Sequence, residues 1–194
     1  MKKIQDHYFK EARKQGYVAR SAFKLEEMDR KFRLLRRGEH VIELGCAPGS
    51  WLQYVAKKVL PEGSLTGVDL KQVKIQFPES VRIFQSDISM LEESILASSR
   101  FDLVLSDMAP DTTGIPSVDS QRSYDLNSQA LSFAQRHLKP GGTLVLKAFQ
   151  GEPLNRLKSE IRACFESLKL FKPKSSRSES VEIFVLGFGL LPQS

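Results

Sequence analysis

Apolar residues recur along the chain in two rhythms. Val41 to Leu44 is a short run, too short for a helix and ended by glycine, so it reads as a buried strand feeding a tight turn over Gly45 to Gly49. Just beyond, Trp51, Leu52, Val55, Ala56 and Val59 recur at helical spacing, the buried face of an amphipathic helix over 49–60. Strand, glycine turn and helix in that order place the turn at the carboxyl edge of an open α/β sheet. Missing Cβ atoms there let a ligand approach the backbone, and the helix start offers unpaired N–H groups. A nucleotide-like cofactor is expected at this turn, against the plainer alternative of an ordinary βα loop.

The remaining elements follow from the same patterns. A polar helix is predicted over 4–15, closed by Gly16 and with little core to offer. Ser21 can cap a second helix whose stripe is Ala22, Leu25, Met28 and Phe32, with Lys24 off that stripe. Strands are expected near 64–69, 80–85, 101–106, 143–148, 167–172 and 181–188, with a loop after 85 carrying Asp87. Pro110, Gly114 and Pro116 break 108–118 into a loop, a long helix runs from Asp119 or Ser120 to Leu138, and Pro140-Gly141-Gly142 stops it. One more helix is expected over 151–165. Alternating strands and helices imply a seven-stranded, mostly parallel sheet with helices on both faces. The 173–180 connection has no room for a crossover helix, so the last strand must run antiparallel.

That topology gathers distant ionisable residues. Asp107 follows strand four and Lys147 ends strand five, so both lie at the carboxyl edge. Glu182 opens the antiparallel last strand, which begins at that same edge, and the second helix could bring Lys24 over them. Charged residues inside apolar strands are costly unless paired, so Lys147 and Glu182 mark either a reactive cluster or a structural ion pair. Asp69, ending strand two, stands where a carboxylate accepts ribose hydroxyls, which suits NAD and S-adenosylmethionine equally. Only Gly45 and Gly49 of a Gly-x-Gly-x-x-Gly pattern are present and Pro48 removes an N–H, which weakens a pyrophosphate reading.

Composition narrows the class. With 194 residues and 41% hydrophobic content the chain is most simply one domain, 1–194, with a basic helical extension over about 1–37. Cys46 and Cys164 have no metal-ligand spacing, so neither zinc nor a disulfide framework is expected. No apolar leader or membrane-length run is present, and a cytoplasmic monomer without metal or membrane partner is the expectation. Residues 1–40 hold 12 Lys and Arg against 6 Asp and Glu, whereas 41–194 balance at 17 each. A second basic stretch, 156–177, carries seven basic and two acidic residues. Positive charge segregated beside a neutral core fits a polyanion held by its phosphates, with a solvated helix face as the bland alternative.

The combination of Arg20-Ser21-Ala22-Phe23-Lys24-Leu25, Glu43 through Trp51, Ser106-Asp107-Met108-Ala109-Pro110, Pro140-Gly141-Gly142 through Lys147-Ala148-Phe149-Gln150-Gly151, and Lys172-Pro173-Lys174-Ser175-Ser176-Arg177 through Glu182 resembles the FtsJ/RrmJ family. These are S-adenosylmethionine-dependent RNA ribose 2′-O-methyltransferases, and the resemblance covers nearly the whole chain. It implies a Rossmann-like methyltransferase fold with a catalytic tetrad of Lys24, Asp107, Lys147 and Glu182. The cofactor's methionine end is then expected against Gly45, Pro48, Gly49, Ser50 and Trp51, with Asp69 at the ribose, Asp87 at the adenine amino group and Asp107 nearby. Glu43, Cys46 and Ser50 depart from the family's more common Asp-Leu-Gly-Ala-Ala-Pro-Gly-Gly-Trp.

The chemistry suits these residue types. Methyl transfer to a ribose hydroxyl is an in-line displacement whose proton must go somewhere, so Lys147 is the candidate base, with the tetrad positioning the hydroxyl. Lys10, Arg13, Lys14, Arg20, Lys174 and Arg177 are the candidate RNA contacts. The substrate implied is a uridine of large-subunit ribosomal RNA or the large subunit itself, with tRNA second. An mRNA cap, a small molecule and a non-catalytic RNA-binding assembly factor are the alternatives.

Overall fold

The structure, a computed structural model, describes residues 2–91, 100–177 and 179–192, the side chains of 2–6 excepted. Helices α1 (Lys2–Lys14) and α2 (Ala22–Phe32) precede the sheet. Then come β1 (His40–Leu44), α3 (Ser50–Val59), β2 (Ser64–Asp69), β3 (Val81–Gln85) and β4 (Phe101–Ser106). The chain closes with α4 (Pro116–His137), β5 (Leu138–Phe149), α5 (Pro153–Cys164), β6 (Phe165–Phe171) and β7 (Glu182–Leu190).

Seven strands form one sheet in the order β3-β2-β1-β4-β5-β7-β6. Pairings are parallel from β3 through β5, and β7 runs antiparallel to both β5 and β6. Both faces are covered. Val41, Leu65, Leu103 and Leu105 pack with Leu25, Met28, Trp51 and Leu52 of α2 and α3. On the other face Ile42, Leu44, Val104 and Leu146 pack with Phe133 and Ala134 of α4 and Ile161 of α5. Burial on both faces is why the central strands read as continuous apolar runs instead of alternating ones. Ala12 of α1 is 2% exposed, so the first helix contributes to the core after all.

Two element starts and one cap depart from the sequence reading. Helix α4 begins at Pro116, not Asp119, because a proline in the first turn lacks only an N–H that has no helical partner there. Strand β5 begins at Leu138, ahead of Pro140-Gly141-Gly142, since fully buried Leu138 pairs with Phe101 before the register shifts at Leu103. Ser21 precedes α2 as expected but makes no side-chain cap; its hydroxyl lies 2.7 Å from that of Ser50.

Candidate functional site

The ionisable residues that the sequence singles out gather at the carboxyl edge. As β1 ends, the N–H groups of Gly45 and Cys46 both donate to Val68 O, and Asp107 N–H donates to Leu44 O, which draws the turn against the end of β4. Gly45 adopts φ +77, and a Cβ there would stand 2.8 Å from Met108 N, so the approach of these two loops depends on glycine. Asp69 ties the next strand in: its carboxylate accepts Ala47 N–H and Lys71 N–H, each at 2.8 Å. Beneath the turn Glu43 is 2% exposed with Oε2 unpartnered. Burial, then the nearby charges of Asp107 and Asp69, pushes its carboxyl well above the usual range, which favours the protonated form.

A cavity of about 670 Å³ opens beside this turn. Of the residues expected around the cofactor, Gly45, Asp69, Asp87 and Asp107 line it. Asp87 caps a short 3-10 turn, and its hydrogen bonds from Ser89 Oγ and N–H hold its carboxyl below the usual value. Asp111 and Asp125 add two further carboxylates against Lys71 and Arg122. The other half of the turn faces elsewhere. Pro48, Gly49, Ser50 and Trp51 are absent from this wall. Gly49, at φ +107, is roofed by Ile75, whose Cδ1 would lie 2.8 Å from an added Cβ. Trp51 is 1% exposed; its Nε1 donates to Ser21 O at 2.8 Å and its ring packs against Phe184. Ser50 and Trp51 therefore seat the start of α2.

That seat governs Lys24. Its ammonium pairs with Glu182 at 2.5 Å, while Lys147 pairs with Asp107 Oδ1 at 2.9 Å and donates to Asp107 O at 2.6 Å. Two ion pairs thus stand at one edge, with Lys24 brought to it by α2. Burial alone would raise the Glu182 carboxyl, but the charge and hydrogen bond of Lys24, with the charge of Lys147, outweigh it and hold the group below its usual value. Lys147 is itself 6% exposed. Two polar residues on the buried face of α4, invisible to a pattern of apolar positions, support it: Asn127 donates to Lys147 O at 3.1 Å, and Ser123 Oγ accepts Phe149 N–H.

A second cavity, about 600 Å³, lies on the other side of the tetrad and is lined by Lys24, Glu182, Arg20, Arg177, Phe149 and Gln150 among others. One wall is the 112–116 loop, fixed by Asp119, whose carboxylate accepts the N–H groups of Thr113 and Gly114. Asp107 faces the first cavity and Lys24 with Glu182 the second, so the tetrad separates them. Of the predicted RNA contacts, Arg20 and Arg177 meet at this second cavity and Lys174 is exposed on the same connection as Arg177. Lys10, Arg13 and Lys14 are exposed on α1. Among the described residues no group of acidic, histidine and cysteine side chains is arranged to hold a metal, and no helix is long and apolar enough to cross a membrane.

Known proteins share this architecture and sequence. A family model described as FtsJ-like methyltransferase matches residues 17–190. Ribosomal RNA large subunit methyltransferase E of Oleidesulfovibrio alaskensis is 42% identical over 193 residues, spanning 97% of this chain and 93% of that one. The protein of the same name from Syntrophobacter fumaroxidans is 43% identical, spanning 96% of each. A solved chain from Plasmodium falciparum, assigned as a ribosomal RNA methyltransferase, superposes with a TM-score of 0.81 at 26% identity, covering 91% of this chain and all of that one.

Proposed function

The chain belongs to the FtsJ-like methyltransferase family, and on that premise we propose that it transfers a methyl group from S-adenosylmethionine to a ribose 2′-hydroxyl of large-subunit ribosomal RNA, at a uridine. The observation that carries the reading is the pair of cavities with Lys24, Asp107, Lys147 and Glu182 between them, one lined by carboxylates and the other flanked by Arg20 and Arg177.

The first cavity fits a cationic cofactor. Five carboxylates face two cations there, a field that attracts a sulfonium and an ammonium and repels a pyrophosphate. The roof of Ile75 and Val73 over Gly49 also closes the approach to the start of α3 that a pyrophosphate would use. These two features favour S-adenosylmethionine over NAD. When bound, it supplies the methyl group. In this reading Asp69 and Asp87 accept hydrogen bonds from its ribose and adenine, while buried Glu43 steadies the turn from below.

The second cavity takes the acceptor nucleotide. Arg20 and Arg177 hold its phosphates, and the ribose hydroxyl lies against the tetrad. Lys147 donates one N–H to Asp107 O and stands 2.9 Å from Asp107 Oδ1, which leaves an N–H to fix the hydroxyl oxygen in line. That oxygen would take the methyl carbon from the cofactor's sulfur, which leaves as a neutral thioether, and the hydroxyl proton would pass to the Asp107 carboxylate, which the Lys147 ammonium holds in place. Lys24 and Glu182 hold the opposite side of the oxygen. We read the chain as acting alone, without metal, in the cytoplasm where ribosomal subunits are assembled.

The test is incubation with labelled cofactor and, separately, deproteinised ribosomal RNA, assembled large subunits and bulk tRNA from cells lacking the protein. Label in the ribosomal samples, abolished by Lys147→Ala, is the expected result. Label in tRNA alone would overturn the ribosomal substrate, and label in none, despite cofactor binding, would overturn RNA methylation.

A further inference from the structure

Glu27 lies one helical turn beyond Lys24 on α2. Its carboxylate accepts the backbone N–H of Lys174 at 2.7 Å and of Ser175 at 2.9 Å, from the connection between β6 and β7. That connection is folded on itself. Ser176 N–H donates to Pro173 O, Ser180 N–H to Arg177 O, Lys172 Nζ to Ser180 O and Glu182 N–H to Ser180 Oγ. Ser175 is 3% exposed, so the segment is seated inward at the point where Glu27 takes it. The same segment carries Arg177 to the second cavity and ends at Glu182, which Lys24 holds. Two residues one turn apart on α2 therefore fasten the two ends of the connection.

The geometry points to Glu27 as a positioning residue for RNA: through the Lys174 and Ser175 amides it holds the 172–181 connection so that Arg177 faces the acceptor cavity. The inference rests on the reading of that cavity as the RNA site. Two adjacent N–H groups directed at one carboxylate make a strong, charge-assisted attachment. Removing the carboxylate returns both amides to water and loosens the segment between Phe171 and the Lys24–Glu182 pair. Arg177 keeps its charge and loses its place. The ion pairs of the tetrad and the walls of the cofactor cavity are built from other contacts, so the change falls on capture of RNA more than on the transfer step.

The experiment compares wild type, Glu27→Ala and Glu27→Gln as full-length proteins. It measures KM and kcat with the RNA that wild type methylates, cofactor affinity by calorimetry and amide hydrogen exchange at Lys174 and Ser175. Glu27→Ala should raise KM for RNA about tenfold, leave kcat within about threefold, leave cofactor affinity unchanged and speed exchange at both amides. Glu27→Gln keeps one acceptor oxygen without the charge and should fall between the two, which also covers an alanine variant that fails to fold. An unchanged KM, whether or not the amides exchange faster, would overturn the inference. So would a parallel loss of KM, kcat and cofactor affinity, which marks a merely structural residue. A wild type that methylates no RNA would overturn the functional reading as well, whereas an active wild type with an indifferent Glu27→Ala overturns this inference alone.

Discussion

The indole N–H of Trp51 donates to the backbone carbonyl of Ser21 at 2.8 Å, 30 residues away, and so joins the start of α3 to the start of α2. The family resemblance implies Trp51 as part of the cofactor wall, yet the side chain is spent on holding the helix that presents Lys24. Trp51→Phe should therefore lower the melting temperature and the methylation rate while leaving cofactor affinity within about twofold, since only the indole donor and part of its packing are lost. Trp51→Ala should destabilise by about 3–5 kcal/mol. Thermal melts and calorimetry check this, and a large loss of cofactor affinity in Trp51→Phe would restore the side chain to the cofactor wall.

What the sequence discloses and what it hides follow from the same physics. The β1-turn-α3 unit was legible because an apolar run, glycines and a 3.6-residue stripe each have one ordinary interpretation. Lys147 and Glu182 were legible because a charge inside an apolar strand demands a partner. The stripe carrying Trp51 says that the residue is buried but not against what, so its partner Ser21 could not be read. Pro140-Gly141-Gly142 reads as a stop, and only the pairing of Leu138 with Phe101 shows the strand already under way. Asn127 and Ser123 look like breaks in an apolar face until the backbone of β5 is seen opposite them.

Asn127 is 2% exposed and donates to Lys147 O and to Ser123 O. Asn127→Ala leaves the Lys147 carbonyl unpartnered in the core, and a cost of about 1–3 kcal/mol in stability is expected. Lys147 also loses a fixed backbone, so kcat should fall about tenfold or more while KM for RNA changes little. Steady-state kinetics beside a denaturant melt separates the two effects; a stability loss with kcat intact would confine Asn127 to the fold.

Glu43 gives a pH signature. Its carboxyl holds a proton well above the ordinary value of 4.5 through burial and the charges of Asp107 and Asp69. The folded chain binds more protons than the unfolded one above pH 4.5, so this group's contribution is full below that pH and is lost as pH rises through the folded value. Glu43→Gln keeps the shape and cannot ionise. Its melting temperature, relative to wild type, should climb as pH rises above about 5 and level off once the folded carboxyl ionises. A difference independent of pH would show that Glu43 is ionised in the folded chain.

The basic residues divide by position, and salt can tell them apart. Lys10, Arg13 and Lys14 stand exposed on α1, whereas Arg20 and Arg177 border the second cavity. If all five meet phosphates, each neutralised residue flattens the dependence of RNA affinity on salt, by about 0.7 in logarithmic slope for single-stranded contacts. Neutralising Lys10, Arg13 and Lys14 together should then lower the slope by about 2, weaken RNA binding, and leave both kcat and cofactor affinity unchanged. Neutralising Arg20, four residues before Lys24, should change the slope by less and reduce kcat as well, because a phosphate held beside the tetrad also sets where the ribose lies, whereas neutralising Arg177 should fall on KM for RNA. Filter binding of RNA across a salt series, with kinetics at saturating RNA, makes the comparison. An unchanged slope in the α1 variant would assign that helix to solvent and leave the second cavity to hold the RNA through Arg20 and Arg177.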